Sequence, residues 1–364
     1  YPPWSATTPI ICGAVATGNS HIFLLENGAN ELQALTVNLV DGTISSANRV
    51  SVGSPSGQTA NSLLRDGNNL VVTYRGGGAS GDHFSVFRWN GSALTAAPGT
   101  PYTLTDILPG TGFFQDGHLF FCSEPSGVGI PVVLHHYTID AATGEATIAG
   151  TANLASTGTT SYGVKYHFDG SRLFVATFGN GQNPTVDYLA VTDTTVTSLD
   201  GEVFATVGVN GGNVLKVGDR YLVGEGLVNS LIHCFEVDGS EKISEAAGFP
   251  VVLNNINVLG LDCAFGNYIY FRQMMSAMAP ISQFRSCLVE TNGLTDVTTL
   301  TQTFNALPQE AVRQGKLFVI PEGGGAPSQV HVVKADLTTG MLTEVGYFGI
   351  SNGSPHFPLF TLVP

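Results

Sequence analysis

The chain has 364 residues and a formal net charge of −14, with 43% hydrophobic residues but only 12% charged ones. So acidic a surface repels phosphate backbones, and a nucleic acid is not an expected partner. No apolar run reaches the ~18 residues of a membrane-spanning helix, so the sequence predicts no membrane span. The 43% hydrophobic content is enough to bury a sizeable core.

A short pattern recurs along the chain, in which polar residues around a glycine are followed at once by an apolar, β-rich run. Early copies read "RDGNNLVVTY" and "QDGHLFFC". A glycine turn between two β-rich segments predicts a hairpin. The copies lie about 50 residues apart, a spacing typical of repeat folds. Their glycines are Gly18, Gly67, Gly117, Gly170, Gly218, Gly266 and Gly315.

A second glycine turn follows most of these hairpins, as in "RWNGSA" and "DAATGEA", whereas the fourth repeat has "AVTDTTVT". Each repeat therefore predicts strand, turn, strand, loop, strand, turn, strand, which is the four-stranded unit of a propeller. The predicted fold class is all-β: a seven-bladed β-propeller with four antiparallel strands per blade over residues 11–350. Residues 1–10 form an N-terminal extension and residues 351–364 an apolar C-terminal tail.

The second turn also carries a resemblance to a known family. Its pattern D-x-x-TG-x-L, as in "ADLTTGMLTEV" and "IDAATGEATIA", resembles the turns of seven-bladed propellers of the lactonase-like (YVTN) kind. The likeness extends over most of the chain, but the motif is short and marks a blade. It implies the propeller fold and, as one functional expectation, hydrolysis of a small sugar lactone.

The loop between the second and third strands of the sixth repeat differs from its counterparts. It reads "RQMMSAMAPISQFR" where most others are rich in glycine. Methionine adapts to irregular apolar partners, and arginine supplies directional donors. This favours a contact patch on the loop-bearing face; alternatively, the methionines fold back into a gap between blades. The predicted binding residues are Arg272, Met274, Met275, Met278 and Arg285.

Propeller enzymes bind substrates at the mouth of the central channel, so polar residues near the same loops are further candidates. Their spacing defines no catalytic set. No H-x-H or H-E-x-x-H spacing occurs among the nine histidines, and we predict neither a metal nor a cofactor. The candidates at the channel mouth are Arg75, Asp82, His83, Glu124, Arg272 and Arg285.

The C-terminal segment "SNGSPHFPLFTLVP" is apolar and uncharged. It follows the last predicted strand, so it supplies one more β-capable segment than seven blades require. Exposed apolar side chains of this size are unfavourable in water. We therefore expect Phe357, Phe360 and Leu362 to pack on the chain's own propeller or to dock on a neighbouring copy by strand addition.

These features predict three functions in order. The first is a non-catalytic extracellular or virion-surface propeller that acts in binding or self-assembly, through the tail or the loop face, with a protein or glycan partner. A start at Tyr1 is compatible with a processed, exported chain or with numbering that begins inside a longer one. The second is a lactonase-like hydrolase. The third is a glycan-binding propeller, disfavoured because two tryptophans cannot supply a sugar shelf in every blade.

Overall fold

The computed structural model describes residues 10–17, 21–26, 30–37, 44–53, 59–75, 82–104, 112–123, 130–157, 161–179, 182–204, 210–226, 231–253, 257–274, 282–302, 312–314, 317–321 and 328–350. Within these ranges the strands form antiparallel sheets whose members follow one another in chain order. We number the sheets 1 to 7 along the chain.

The first four sheets are built from seventeen strands. Sheet 1 contains β1 (Ile10–Thr17), β2 (His21–Glu26), β3 (Glu31–Val37) and β4 (Ile44–Ser51). Sheet 2 contains β5 (Thr59–Asp66), β6 (Asn69–Arg75), β7 (Asp82–Trp89), β8 (Leu94–Ala96) and β9 (Tyr102–Leu104). Sheet 3 contains β10 (Phe113–Gln115), β11 (His118–Cys122), β12 (Pro131–Ile139) and β13 (Ala146–Thr157). Sheet 4 contains β14 (Ser161–Phe168), β15 (Arg172–Gly179), β16 (Gln182–Thr192) and β17 (Thr195–Val203).

The remaining three sheets repeat the arrangement. Sheet 5 contains β18 (Asn210–Val217), β19 (Arg220–Gly226), β20 (Leu231–Val237), β21 (Ile243–Glu245) and β22 (Val251–Val252). Sheet 6 contains β23 (Asn257–Phe265), β24 (Tyr268–Met274), β25 (Ser282–Glu290) and β26 (Gly293–Gln302). Sheet 7 contains β27 (Val312–Gln314), β28 (Leu317–Pro321), β29 (Ser328–Ala335) and β30 (Leu342–Ile350).

Five sheets have the predicted four strands, and sheets 2 and 5 have five. In these two the outermost strand is interrupted at "PGTP" and "AGFP", so that β9 and β22 pair separately with the third strand. Proline has no N–H to donate to a strand ladder and glycine weakens a strand, which explains the break at these positions.

The core lies between consecutive sheets. One apolar cluster joins sheets 3 and 4 and includes Phe120, Leu134 and Leu189, each buried. A second joins sheets 5 and 6 through side chains such as Leu222 and Phe271. Because every sheet packs against the next one along the chain, side chains on both faces of a sheet are removed from water, and β-branched and aromatic residues are favoured throughout. The described residues contain no helix long and apolar enough to cross a membrane.

The predicted first and third turns lie at the same end of the sheets, which we call the turn side; the opposite end is the loop side. First-turn glycines such as Gly67 (φ +54°) have the left-handed backbone that the prediction requires. In four sheets the third turn is held by an acidic or amide side chain, that of Asn90, Asp140, Asp238 or Asp336, and in sheet 4 it is held by the Thr192 hydroxyl. In sheet 3, for example, Asp140 Oδ1 accepts the backbone N–H groups of Ala142 (2.9 Å) and Thr143 (2.6 Å).

On the turn side, polar side chains link each of sheets 2 to 6 to the next sheet along the chain. The residue that begins the second strand reaches across to the third turn of the following sheet. In sheet 5, Arg220 donates to Glu290 O at 2.8 Å, and in sheet 6, Tyr268 donates its hydroxyl to Thr338 O at 3.1 Å. We call this set the turn-side belt. Its described members are Asn69, His118, Arg172, Arg220 and Tyr268.

Candidate functional site

Polar residues occupy one equivalent position in the third strand of every sheet, toward the loop side. Each is paired with the fourth residue of its second strand, as Asp187 is with Val175 and His233 is with Val223. We call this set the third-strand polar row. Its members are Gln33, Ser85, His135, Asp187, His233, Arg285 and His331.

Asp187 is the one carboxylate of the row, and 1% of its surface is exposed. Its Oδ1 accepts the backbone N–H of Ala155 in sheet 3 at 2.7 Å. Thr185 lies 3.4 Å from Oδ2, and Thr185 is hydrogen-bonded to Thr177 at 2.6 Å. Burial raises the pKa of Asp187 from 3.8 to about 7 despite these donors. A carboxyl group with this pKa can accept or release a proton near neutral pH.

His233 forms the corresponding site in sheet 5. The ring is 2% exposed, and its Nδ1 lies 2.6 Å from Glu245 Oε1 in the outermost strand. Phe204, which follows the last strand of sheet 4, packs edge-on against the imidazole at 4.8 Å between ring centroids. The carboxylate therefore fixes the orientation of a buried imidazole, an arrangement that recurs at sites of proton transfer.

Arg285 occupies the row position in sheet 6 and is 8% exposed. Its guanidinium is bonded to Asp296 and lies 5.6 Å from the centroid of the Phe271 ring. The thiol of Cys287 also donates to Asp296 Oδ1, at 3.0 Å. Burial raises the pKa of this thiol, so it remains protonated and serves as a donor.

The row positions in sheets 1 and 2 are occupied by neutral polar side chains. Gln33 accepts from Arg49 at 3.5 Å, and Arg49 in turn is bonded to Glu31 at 2.7 Å. Ser85, 2% exposed, is a hydrogen-bonding partner of Tyr74, and burial raises the pKa of that phenol to about 12. The row thus changes from neutral groups in sheets 1 and 2 to ionisable groups in sheets 3 to 7.

The candidates drawn from the sequence are distributed unevenly around this row. Arg285 belongs to it, whereas Arg272 lies on β24, is 6% exposed, and pairs with Phe284. Asp82 and His83 begin β7 at the loop side, where His83 is 9% exposed and pairs with Tyr74. The structure places Arg75 and Met274 at the ends of β6 and β24. The other predicted positions, Glu124, Met275, Met278, Phe357, Phe360 and Leu362, lie outside the described residues.

Sequence reasoning missed the row, although the sequence contains the signal for it. When the repeats are aligned on the first residue of each second strand, an apolar β pattern is interrupted by a polar residue in every copy of the third strand. Asp187 and His233 sit inside otherwise apolar runs, "VDYLAV" and "LIHCF". One polar residue in such an apolar run suggests a packing detail, whereas a polar residue at the same position in all seven copies indicates a shared requirement of the fold or the site.

The row contains several metal-ligating side-chain types, but among the described residues no three His, Cys, Asp or Glu side chains lie close enough to bind one ion. Three described ionisable members, Asp187, His233 and Arg285, are bonded within their own sheet or to the neighbouring one. The chemistry available to these residues is therefore hydrogen bonding, charge stabilisation and proton transfer.

Solved structures share this architecture. The periplasmic gluconolactonase of Pseudomonas aeruginosa matches 98% of this chain and 99% of its own, with a TM-score of 0.57 and 13% identity. A putative 6-phosphogluconolactonase from Bacteroides uniformis matches 77% of this chain and 82% of its own, with a TM-score of 0.52 and 14% identity. The C-terminal WD40 domain of Sif2 matches 90% and 82% of the two chains, with a TM-score of 0.55 and 12% identity.

No protein-family model matches the sequence, and no curated protein matches it significantly. The structural matches nevertheless correct the first functional prediction. A non-catalytic extracellular or virion-surface propeller is contradicted, because the similar structures include a gluconolactonase and a putative 6-phosphogluconolactonase. That prediction failed because it treated the lack of a catalytic motif along the sequence as lack of a site, while residues from separate sheets can form one. The chain has a β-propeller fold, and its resemblance to lactonase-like propellers is confirmed.

Proposed function

We propose that the protein is a lactonase-like propeller hydrolase that opens a small sugar lactone. The observation that carries the proposal is the match to a gluconolactonase along 98% of this chain and 99% of that one. Because identity is only 13%, this observation supports the fold directly and the activity by analogy. The polar row supplies further support, since its positions in sheets 3 to 7 are all occupied by ionisable residues.

We also infer that the sheets close into a ring of seven blades. Seven consecutive sheets, each packed against its successor in the core clusters, support this arrangement. In such a ring the substrate would bind at the channel mouth on the loop side, where one face of every blade contributes a loop. An experimental structure with six or eight blades would overturn the inference.

Hydrolysis of a lactone needs a group that accepts a proton from the attacking water and donors that stabilise the developing oxyanion. The His233 imidazole, which is oriented by Glu245, and the Asp187 carboxyl group can hold protons in the third strands of sheets 5 and 4. Their burial makes them positioning residues rather than groups that touch the substrate. Arg272, near the loop end of β24, is 6% exposed and so less deeply buried than either of them, and we propose that it donates to a lactone or to an attached phosphate.

The adjacent methionines complete the proposed binding residues. Met274, Met275 and Met278 follow Arg272 in the sequence, and we assign them to apolar contact with the ring carbons of the substrate. Arg285 is assigned to holding this segment, since it bonds Asp296 and stacks near Phe271.

The experiment is a hydrolysis assay with δ-gluconolactone and 6-phosphogluconolactone, with each rate corrected for spontaneous opening. The proposal predicts an enzyme-dependent rate with at least one substrate. Arg272→Met should lower that rate by at least tenfold, since one lost charged hydrogen bond in a transition state is worth about 1.4 kcal/mol or more. Arg49→Met is the matched control, because Arg49 is exposed in the outermost strand of sheet 1. No rate above the spontaneous one with either lactone would overturn the proposal.

A further inference from the structure

A cleft of about 590 Å³ opens on the turn side between sheets 3 and 4. It lies where the turn-side belt is weakest. The belt residue here is His118, whose Nε2 lies 3.7 Å from the exposed carboxylate of Asp193, whereas Arg172 in the next sheet bonds Glu241 directly through Nε at 2.8 Å. The receiving turn in sheet 4 is also the third turn whose sequence lacks the glycine found in the others.

Behind His118 lies a second buried imidazole, His136. The His118 Nδ1 and His136 Nε2 atoms are 2.8 Å apart, and the rings stack at 5.1 Å between centroids. His118 is 8% exposed and His136 is fully buried. Within the described residues the other nitrogen of His136, Nδ1, has no hydrogen-bond partner. We call these two residues the histidine pair.

The surroundings select one tautomer of the histidine pair. His118 Nε2 faces the carboxylate of Asp193, which favours a proton on that nitrogen. His118 Nδ1 is then the acceptor, and His136 donates to it from Nε2. The buried Nδ1 of His136 consequently has no proton, which costs less than burying an unpaired N–H group. This assignment follows from the hydrogen-bond network.

We propose that the histidine pair makes the contact between sheets 3 and 4 an acid-sensitive joint, which is closed near neutral pH and opens as the pair takes up a proton. The bond within the pair contains one proton between two nitrogens. A second proton on His118 Nδ1 would place two N–H groups against each other and break that bond. A proton on His136 Nδ1 would leave a charge in a fully buried position without a partner. Either event favours separation of the rings and hydration of the cleft.

The groups that face the pair do not remove this penalty. Asp193 from sheet 4, Asp116 from the first turn of sheet 3 and Asp66 from sheet 2 all favour a charge on His118, yet burial outweighs them and its pKa is lowered. The pKa of His136 falls to about 4, through burial and then through the proximity of His118. Asp140 and Glu145 line the rim of the cleft. The corresponding residues elsewhere in the described belt, Asn69, Arg172, Arg220 and Tyr268, are not histidines.

The sign of the effect follows from these directions. Both histidines have lower pKa values in the folded chain than in the unfolded chain, so the unfolded chain takes up protons first on acidification. The stability supplied by the neutral pair is present above about pH 6.5 and is lost as the pH falls toward 4. The joint does not depend on the proposed lactonase activity.

The test measures urea unfolding of the full chain at about pH 7.5 and about pH 5 in wild type, His136→Gln and His83→Asn. Glutamine retains a donor in place of Nε2 but does not titrate. In wild type, acidification should raise the unfolding equilibrium constant about tenfold or more through this pair. His136→Gln should lose most of that rise, and His83→Asn, which replaces a buried histidine of sheet 2, should retain it. An equal rise in wild type and His136→Gln would overturn the proposal.

A second measurement decides the matter if His136→Gln does not fold. The ¹⁵N spectrum of the wild-type imidazoles at about pH 7.5 should show His136 protonated at Nε2 and bare at Nδ1. On acidification, amide exchange at residues 147–151 and 193–196, after correction for intrinsic rates, should rise together with protonation of the pair. If the pair becomes protonated while these amides keep their protection, the joint does not open and the proposal is wrong.

Discussion

The turn-side belt and the third-strand polar row place polar residues at repeated positions of the same sheets, but the two sets are built differently. Belt residues reach across to the next sheet, and some keep partial exposure, as in the bridge between Arg172 and Glu241, whose side chains are 33% and 39% exposed, whereas Asn69 and His118 are buried. Of the row residues, Ser85, Asp187, His233 and Arg285 are buried, and His233 and Arg285 are paired within their own sheets. The belt thus consists of links between neighbouring sheets, whereas the row consists largely of buried groups.

The difference indicates where function is concentrated. At a partly exposed link, one polar side chain can take the place of another at little cost to stability. The belt accordingly has an amide, an imidazole, two guanidiniums and a phenol in equivalent positions. A buried ionisable group reduces stability unless the surrounding structure compensates. Its presence in a chain with only 12% charged residues therefore calls for a role, and we assign that role to proton handling and to positioning the loop side.

The largest expected effect is at Asp187. Its pKa of about 7 in the folded chain exceeds the ordinary 3.8, so its stabilising contribution is complete below pH 3.8 and is lost as the pH rises through 7. At 1.36 kcal/mol per pKa unit, wild type should lose roughly 4 kcal/mol across this window relative to Asp187→Asn. Urea unfolding at several pH values measures the difference.

Asp219→Asn, at an exposed first turn of sheet 5, is the matched control that makes the same substitution at the surface. If Asp187→Asn and wild type show parallel pH profiles, the carboxyl group has the same pKa in the folded and unfolded chains, and burial does not raise it. The histidine pair loses stability as the pH falls, whereas Asp187 loses it as the pH rises. The two effects therefore separate in a chain that carries both Asp187→Asn and His136→Gln.

The next largest effect tests how tightly the belt is packed. Gly340 lies beneath the ring of Tyr268, and a Cβ atom there would come within 2.3 Å of a ring carbon. Its φ of +73° adds backbone strain for any L side chain. Gly340→Ala should therefore cost about 3 kcal/mol from overpacking and strain together. Gly67→Ala, at φ +54° with no atom within 4 Å of the new Cβ, isolates the strain and should cost about 1 kcal/mol. Equal losses in the two variants would show that Tyr268 moves aside freely.

Much of the fold could be predicted from the sequence because its signal is local and repeated. Glycine turns such as Gly67 and Gly117 have the predicted left-handed backbone, and the strand order is the predicted one. The extra strands β9 and β22 were missed although "PGTP" and "AGFP" were visible, because glycine and proline mark a break without showing whether the chain rejoins the same sheet. Contacts between sheets, such as that of Asp187 with Ala155, could not be predicted from the sequence because they depend on how neighbouring repeats are oriented. The candidate site was mostly missed for the same reason.

A smaller effect is expected where the row reaches solvent. Asp296→Asn removes the carboxylate that faces Arg285 and Cys287 but keeps an oxygen that can accept from either. Because the Asp296 side chain is 60% exposed, water compensates in part, and the expected loss is about 1–2 kcal/mol. Thermal unfolding measures it, with Asp238→Asn in the exposed third turn of sheet 5 as the comparison. A loss above about 4 kcal/mol would mean that the arginine is held as a fully buried pair.

The smallest effect is expected in the belt itself. Arg172→Met removes the bridge to Glu241 but keeps a long apolar stem at the same site. Partly exposed pairs of this kind contribute about 0.2–1 kcal/mol, and salt weakens them further. We expect a loss near 0.5 kcal/mol at low ionic strength that disappears at about 1 M NaCl. Arg49→Met, which removes the more exposed bridge to Glu31 within sheet 1, should lose no more than that. If Arg172→Met instead costs several kcal/mol and the loss persists in high salt, the belt is a buried network in energetic terms, and its separation from the row does not hold.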